Sequence, residues 1–272
     1  MISSTIPVAT SEEELRSQAS ALLPTLKATL GDSAQGVSDA TILKFLLWKP
    51  DVKRAADRFH AHQKWRKEHP FAFDSTPPLL ASQDDTLRRV LEGETLVLPP
   101  GAVAKDKSTL MIGRLRNNDM SDGRTAEDVV RMILYTMDRA LERESTTLHG
   151  ITIFHDMANV TRNNIDPSIP KMLFSAILGH FPIRITAVYI LNAPFFVRGL
   201  FQVLSLMLPS KVRKRITFVG NMAEILKYID QDQLLEEQGG KVHDNQKEWI
   251  AQHVKRETDG TMESLAECLQ PS

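Results

Sequence analysis

His155-Asp156 closes the apolar run Gly150–Asp156 (GITIFHD), so an imidazole stands beside a carboxylate where a run of strand character ends. These groups could do general acid–base chemistry, and the carboxyl end of a strand is where open α/β folds build their sites. Catalysis needs more than the pair. No nucleophile and no second carboxylate lies close in sequence to complete a constellation. The chain also has no G-x-S-x-G elbow, no Gly-rich phosphate loop and no dinucleotide fingerprint. An imidazole at a pocket or core edge, with Asp156 capping a turn, is the favoured reading, and an enzyme using His155 and Asp156 is the rival. His60 and His62 are two apart on a helix, the wrong spacing to share a metal, and H-E-x-x-H does not occur. The one cysteine, Cys268, allows neither an internal disulfide nor a thiolate cluster. No metal and no cofactor is expected.

A second chemistry lies in Lys211, Arg213, Lys214 and Arg215. They follow directly on Phe195–Leu208, where only Arg198, Gln202 and Ser205 are polar. A basic run beside an apolar amphipathic segment is the layout of an interfacial membrane contact. Each basic residue near an anionic leaflet is worth about 1 kcal/mol. Each fully buried Phe or Leu adds roughly 1.5–3 kcal/mol, which suffices for transient docking and falls short of anchoring. Lys64-Trp65-Arg66-Lys67 could form a nucleic-acid patch, but with Glu68 adjacent and the chain neutral overall it reads as a solvated helix end. A net charge of −1 and a pI near 6.7 provide no field to hold nucleic acid.

The elements that must position these groups follow from periodicity. Helices are expected from Ser11 to Leu30, from Asp39 to Trp48 and from Asp51 towards Pro70, and the chain from Phe71 to Leu98 reads as turns. Thr95–Leu98 and Leu110–Leu115 read as strands. Thr125 caps a long amphipathic helix, with Asp128 completing a capping box. The strand Gly150–Asp156, a helix from Pro167 to His180 and the strand Ile185–Leu191 form a βαβ unit. Ile185–Leu191 has no polar alternation, as suits a strand buried on both faces. Asn192-Ala193-Pro194 ends it, the helix Phe195–Leu208 follows, and Ile216–Val219 resumes β character. Asn221 caps a further helix, Gly239-Gly240 ends the domain, and Asn245–Arg256 is a last helix.

The fold class is α/β, a small mixed sheet with flanking helices preceded by an all-α module. Residues 1–10 are expected to be disordered, 11–76 to form a three-helix module, 77–243 the α/β domain and 244–272 a C-terminal helix and tail. The opening residues lack the basic and apolar regions of a secretory signal, and no window is apolar enough to span a bilayer. A cytoplasmic monomer, transiently peripheral at membranes, is expected.

Several pieces in order carry a resemblance: FPIR at 181–184, YILNAP at 189–194, the apolar helix, KVRKRITFVG at 211–220 and LLEEQGG at 234–240. The stretch ILKFLLWKPDVKRAADRFHAHQKWRKEHP before them is similar to an N-terminal helical module of the same kind. Over roughly residues 38–250 the chain resembles the CRAL-TRIO lipid-binding family. The resemblance implies a mobile gate helix over a lipid cavity, with a bound lipid as cargo. It implies a pocket lined by Ile151, Ile153, His155, Leu173, Ala176, Ile177, Phe181, Ile185 and Val188. Phe196, Leu200 and Val203 match the membrane-touching face of the gate, and Arg184, Lys211 and Arg215 match a phosphoinositide or anionic-lipid patch. Thr186 stands where the strongest match carries arginine. Ile183 replaces an acidic residue that helps hold inositol in some relatives, which speaks against phosphatidylinositol as ligand. The implied function is a carrier that takes one hydrophobic molecule or phospholipid and exchanges it at anionic membranes. A lipid-responsive adaptor without transfer activity is the alternative within the same fold.

Overall fold

Short runs that are apolar on both sides become strands, and longer stretches with one apolar face become the helices between them. The computed structural model describes residues 11–69, 79–178 and 180–261. Its strands are β1 (Leu96–Val97), β2 (Thr109–Gly113), β3 (Ile151–Asp156), β4 (Ile185–Leu191) and β5 (Ile216–Val219). They lie side by side in chain order, β1 antiparallel to β2 and the others parallel. This is the small mixed sheet that the sequence predicts. β1 and β2 are shorter than the runs that suggested them.

One irregularity sets the faces of the sheet. Pairing passes from Ile151↔Ile185 to Thr152↔Ala187, so Thr186 is an extra residue, a β-bulge in β4. It keeps Ile151, Ile153 and His155 in line with Ile185, Val188 and Ile190 on one face. Thr152 and Phe154 share the other face with Ala187 and Tyr189. The Thr186 hydroxyl donates to the Ile151 carbonyl at 2.8 Å and meets Thr152 Oγ1 at 2.9 Å.

The helices of the N-terminal part are α1 (Glu12–Leu30), α2 (Asp39–Trp48) and α3 (Val52–Glu68). The capping box of Ser11 and Glu14 starts α1, and Asp51 caps α3. Leu26, Ile42, Phe45, Leu46 and Phe59 form their common core. The far end of α3 leaves that core. Trp65 is buried among residues of the sheet layer, the His62 ring meets Phe181 edge-on at 5.3 Å, and Arg58 donates to the Phe181 carbonyl.

The sheet layer continues with α4 (Asp85–Glu92), α5 (Ala126–Ala140), α6 (Glu144–His149) and α7 (Ser168–Ile177). The structure corrects one expectation here and adds a helix, α6, where none was expected. α4 occupies part of the stretch that reads as turns, capped by Asp84, which accepts from Leu87 N. α6 ends at Gly150, whose φ is +89° and where a Cβ would fall 2.2 Å from the Arg184 carbonyl oxygen. Only glycine fits that approach. The expected box of Thr125 and Asp128 starts α5, whose Val130, Leu134 and Met137 join Ile151, Ile153, Ala176 and Ile177 on one face of the sheet. On the opposite face Leu110, Ile112, Phe154, Leu191 and Val219 pack with Ile225 of the short helix α10 (Met222–Ile225), capped by Asn221 as expected, and with Ile229 and Leu234. The helix α11 (Gln246–Thr258) joins the first layer: Trp249 meets Tyr135 at 6.1 Å, and Glu257 accepts from Tyr135 Oη at 2.6 Å. The domain boundary expected near Pro77 lies outside the described residues. No helix among the described residues is long and apolar enough to cross a membrane.

Candidate functional site

Strand register brings the candidate residues to one face. Ile151, Ile153, Ala176, Ile177 and Phe181 are buried in one apolar cluster, and Leu173, Ile185 and Val188 pack half-buried against it. His155 comes next along the same face, with Gly113 on one side and Ile190 on the other. Gly113 is what admits the ring, since a Cβ there would fall 1.9 Å from His155 Nδ1. That nitrogen is enclosed and has no hydrogen-bond partner among the described residues. Burial pushes the His155 pKa down to about 4, so the ring is neutral near pH 7. A neutral imidazole remains a hydrogen-bonding group in an apolar wall.

Asp156 does not join it. Consecutive strand residues point to opposite faces, and the carboxylate accepts from Ala158 N at 3.0 Å and from Asn192 Nδ2 at 2.8 Å. It therefore fixes the turns after β3 and β4, and Asn192 takes a φ of +55° just before Ala193-Pro194. Chemically, this is a brace at the entry to the next helix, with no acid–base dyad formed. Among the described residues no group of three or more His, Cys, Asp and Glu side chains could hold a metal ion.

The helix that follows is α8 (Phe195–Ser205), shorter than the apolar run, which ends in turns through Leu208. Val197 is buried with Met157, Val160 and Ile190, and half-buried Phe196 packs on the same cluster. Phe201 meets Phe218 edge-on at 5.1 Å, and Arg198 lies over the Phe218 ring at 5.0 Å. The outward side is apolar as well. Phe195 is 90% exposed, Leu206 79%, Val203 64% and Met207 61%. Of the three positions named from the resemblance, Val203 is exposed, while Leu200 and Phe196 are half-buried. Phe195, Leu206 and Met207 were missed. On a 100° per residue wheel positions 195, 203, 206 and 207 fall in one arc, so the signal was present in the sequence.

The basic residues surround the other end of β4. Arg184 donates to the Leu148 carbonyl at 2.9 Å, and Arg215 to the Ile185 carbonyl at 2.6 Å. Burial and the charge of Arg215 both lower the Arg184 pKa, so the two guanidiniums lie within each other's field. The short helix α9 (Ser210–Arg213) carries Lys211 in the open. Thr186, the bulge residue, adds a hydroxyl near the two arginines and no charge.

The chain is similar to known proteins in sequence and in fold. The tyrosine-protein phosphatase non-receptor type 9 of Homo sapiens is 27% identical over 217 residues, 78% of this chain and 34% of the phosphatase. The alpha-tocopherol transfer protein-like protein of Homo sapiens is 25% identical over 189 residues, 68% of this chain and 53% of that protein. Clavesin-2 of Homo sapiens is 29% identical over 119 residues, 43% of this chain and 36% of that protein. The chain thus spans between a third and about half of the length of these relatives. The crystal structure of Sfh5 superposes with a TM-score of 0.56 at 13% identity, over 93% of this chain and all of that one, which shows a shared fold. The CRAL/TRIO domain model matches residues 100–240 and takes in β2 to β5, α8 and the basic turn. With that match over more than half its length, the chain belongs to the CRAL/TRIO domain family.

Proposed function

We propose that the chain binds one hydrophobic lipid between α8 and the sheet face of Ile153 and Val188, and exchanges it at membranes as α8 swings outward. Membership of the CRAL/TRIO family supports hydrophobic-ligand binding as the general activity. The observation that carries the finer reading is α8 itself. It packs inward through Val197 and leaves Phe195, Val203, Leu206 and Met207 in water. A contiguous exposed apolar face of this kind marks an interaction surface. A bilayer is the partner that suits it, because Lys211, Lys214 and Arg215 follow within eight residues of Met207 and attract anionic headgroups.

The ligand itself is apolar in this reading. Ile183 is 4% exposed and belongs to the main core, so its position offers no carboxylate to an inositol ring. The paired Arg184 and Arg215 serve surface attraction, working from the cytoplasmic leaflet. Mass spectrometry of an organic extract of the purified full chain tests the proposal. One lipid per protein molecule is expected, released to phosphatidylcholine vesicles on mixing. A protein that carries no lipid and takes none from vesicles overturns it, and phosphatidylinositol as the dominant cargo overturns the apolar-ligand reading.

A further inference from the structure

One polar group stands in the apolar face where the ligand is placed. His155 shares that face with Ile153, Val188 and Ile190, all apolar, and its ring is half-buried. Nδ1 is closed off against Gly113 without a partner, so Nε2 is the nitrogen left with access. A buried acceptor lone pair left unpaired costs less than a buried N–H left unpaired. The tautomer with the proton on Nε2 therefore fits the site, and it has a donor to offer. We propose that His155 is the polar contact of the ligand site, its Nε2–H donating one hydrogen bond to the hydroxyl or carbonyl oxygen of a neutral, otherwise apolar ligand. This rests on the lipid-binding reading above and narrows it to a chemical class.

Two further observations favour a neutral head over a charged one. Burial is what depresses the His155 pKa, and the same desolvation disfavours an ionised headgroup placed against the ring. The arginines stand at the other end: Arg184 O accepts from Ile151 N, four residues before His155. At about 3.3 Å per residue the separation is roughly 13 Å along the strand. A carboxylate or phosphate at His155 would lie buried beyond their reach.

The test uses the full chain and four probes offered together from phosphatidylcholine vesicles: hexadecane, 1-hexadecanol, palmitate and the vesicle lipid itself. Wild-type protein is expected to retain hexadecanol about tenfold over hexadecane, one hydrogen bond's worth, and to disfavour palmitate. His155→Phe should remove that preference and keep hexadecane, while His155→Gln should restore part of it. Hexadecanol retention should stay flat from pH 5.5 to 8. Equal retention of hexadecane and hexadecanol by the wild type overturns the proposal without any variant, and leaves the apolar site standing. A preference for palmitate or phosphatidylcholine that His155→Phe leaves intact also overturns it. A neutral imidazole is the commonest metal ligand too, so a bound transition metal lost with His155→Phe would replace the hydrogen bond by ligation. Retention of none of the probes overturns the lipid reading together with this one.

Discussion

His155 and Gly113 act as a unit, and two outcomes follow from their contact. The first concerns acid. The folded pKa of about 4 lies below the ordinary value near 6.5 for histidine, so the unfolded chain takes up the proton first. Stability is then full above pH 6.5 and falls as pH drops through 4. Between pH 7 and pH 5 the linkage amounts to about 2 kcal/mol. Urea unfolding at the two pH values should show His155→Phe losing less stability than the wild type by about that amount. His62 is depressed in the same direction by burial and by Arg66, so part of the slope remains in the variant. The second outcome concerns space. Gly113→Ala should cost about 1–3 kcal/mol through overpacking, because its Cβ would overlap the ring. In a His155→Ala background the same change should be close to neutral, a coupling that a double-mutant cycle measures.

Among the elements, α8 separates two contributions to membrane contact. Phe195 and Leu206 are the two most exposed of the outward apolar side chains. Phe195→Asp with Leu206→Asp should abolish binding to neutral and anionic vesicles alike and leave the thermal transition within a few degrees. Collapse of the fold in that variant would mean that this side of the helix is core. Phe196→Asp is a poorer probe, since Phe196 packs with Val197 and Ile190. Charge acts differently. Lys211→Ala should weaken binding to anionic vesicles only, most clearly at low salt where the Debye length exceeds 10 Å. Arg215→Ala should do so with an added stability loss, because it also gives up the bond to the Ile185 carbonyl. The order of the strands and longer helices in the sheet layer was legible in the sequence, because the strands are compact apolar runs and the helices carry one apolar face. α4 was not, since its eight residues between masking turns offer only two helical turns of pattern. Exposure on α8 was half legible: the arc is a matter of spacing, whereas which side is covered depends on Met157 and Val160, far away in sequence.

Across the whole molecule, the separate layers meet at single residues that the sequence could not single out. Phe181 belongs to the core beneath the ligand face, yet His62 and Arg58 of α3 hold it from the other side. Glu257 of α11 reaches both Tyr135 of α5 and the backbone of Ser82 ahead of α4. Such contacts join residues more than a hundred positions apart, and local patterns carry no trace of them. The bulge at Thr186 is of the same kind, and it bears on how the gene can change length. β4 carries one residue more than its pairing with β3 uses. Deletion of the Thr186 codon should let Ile185 run straight into Ala187, keep every side chain on its face and yield soluble, cooperatively melting protein, weakened by the lost hydroxyl bonds. β3 has no such spare residue. Deletion of Ile153 should turn the rest of that strand over, send Phe154 and His155 to each other's faces, and give insoluble protein. If both deletions fold, or neither does, strand length here is not set by the bulge.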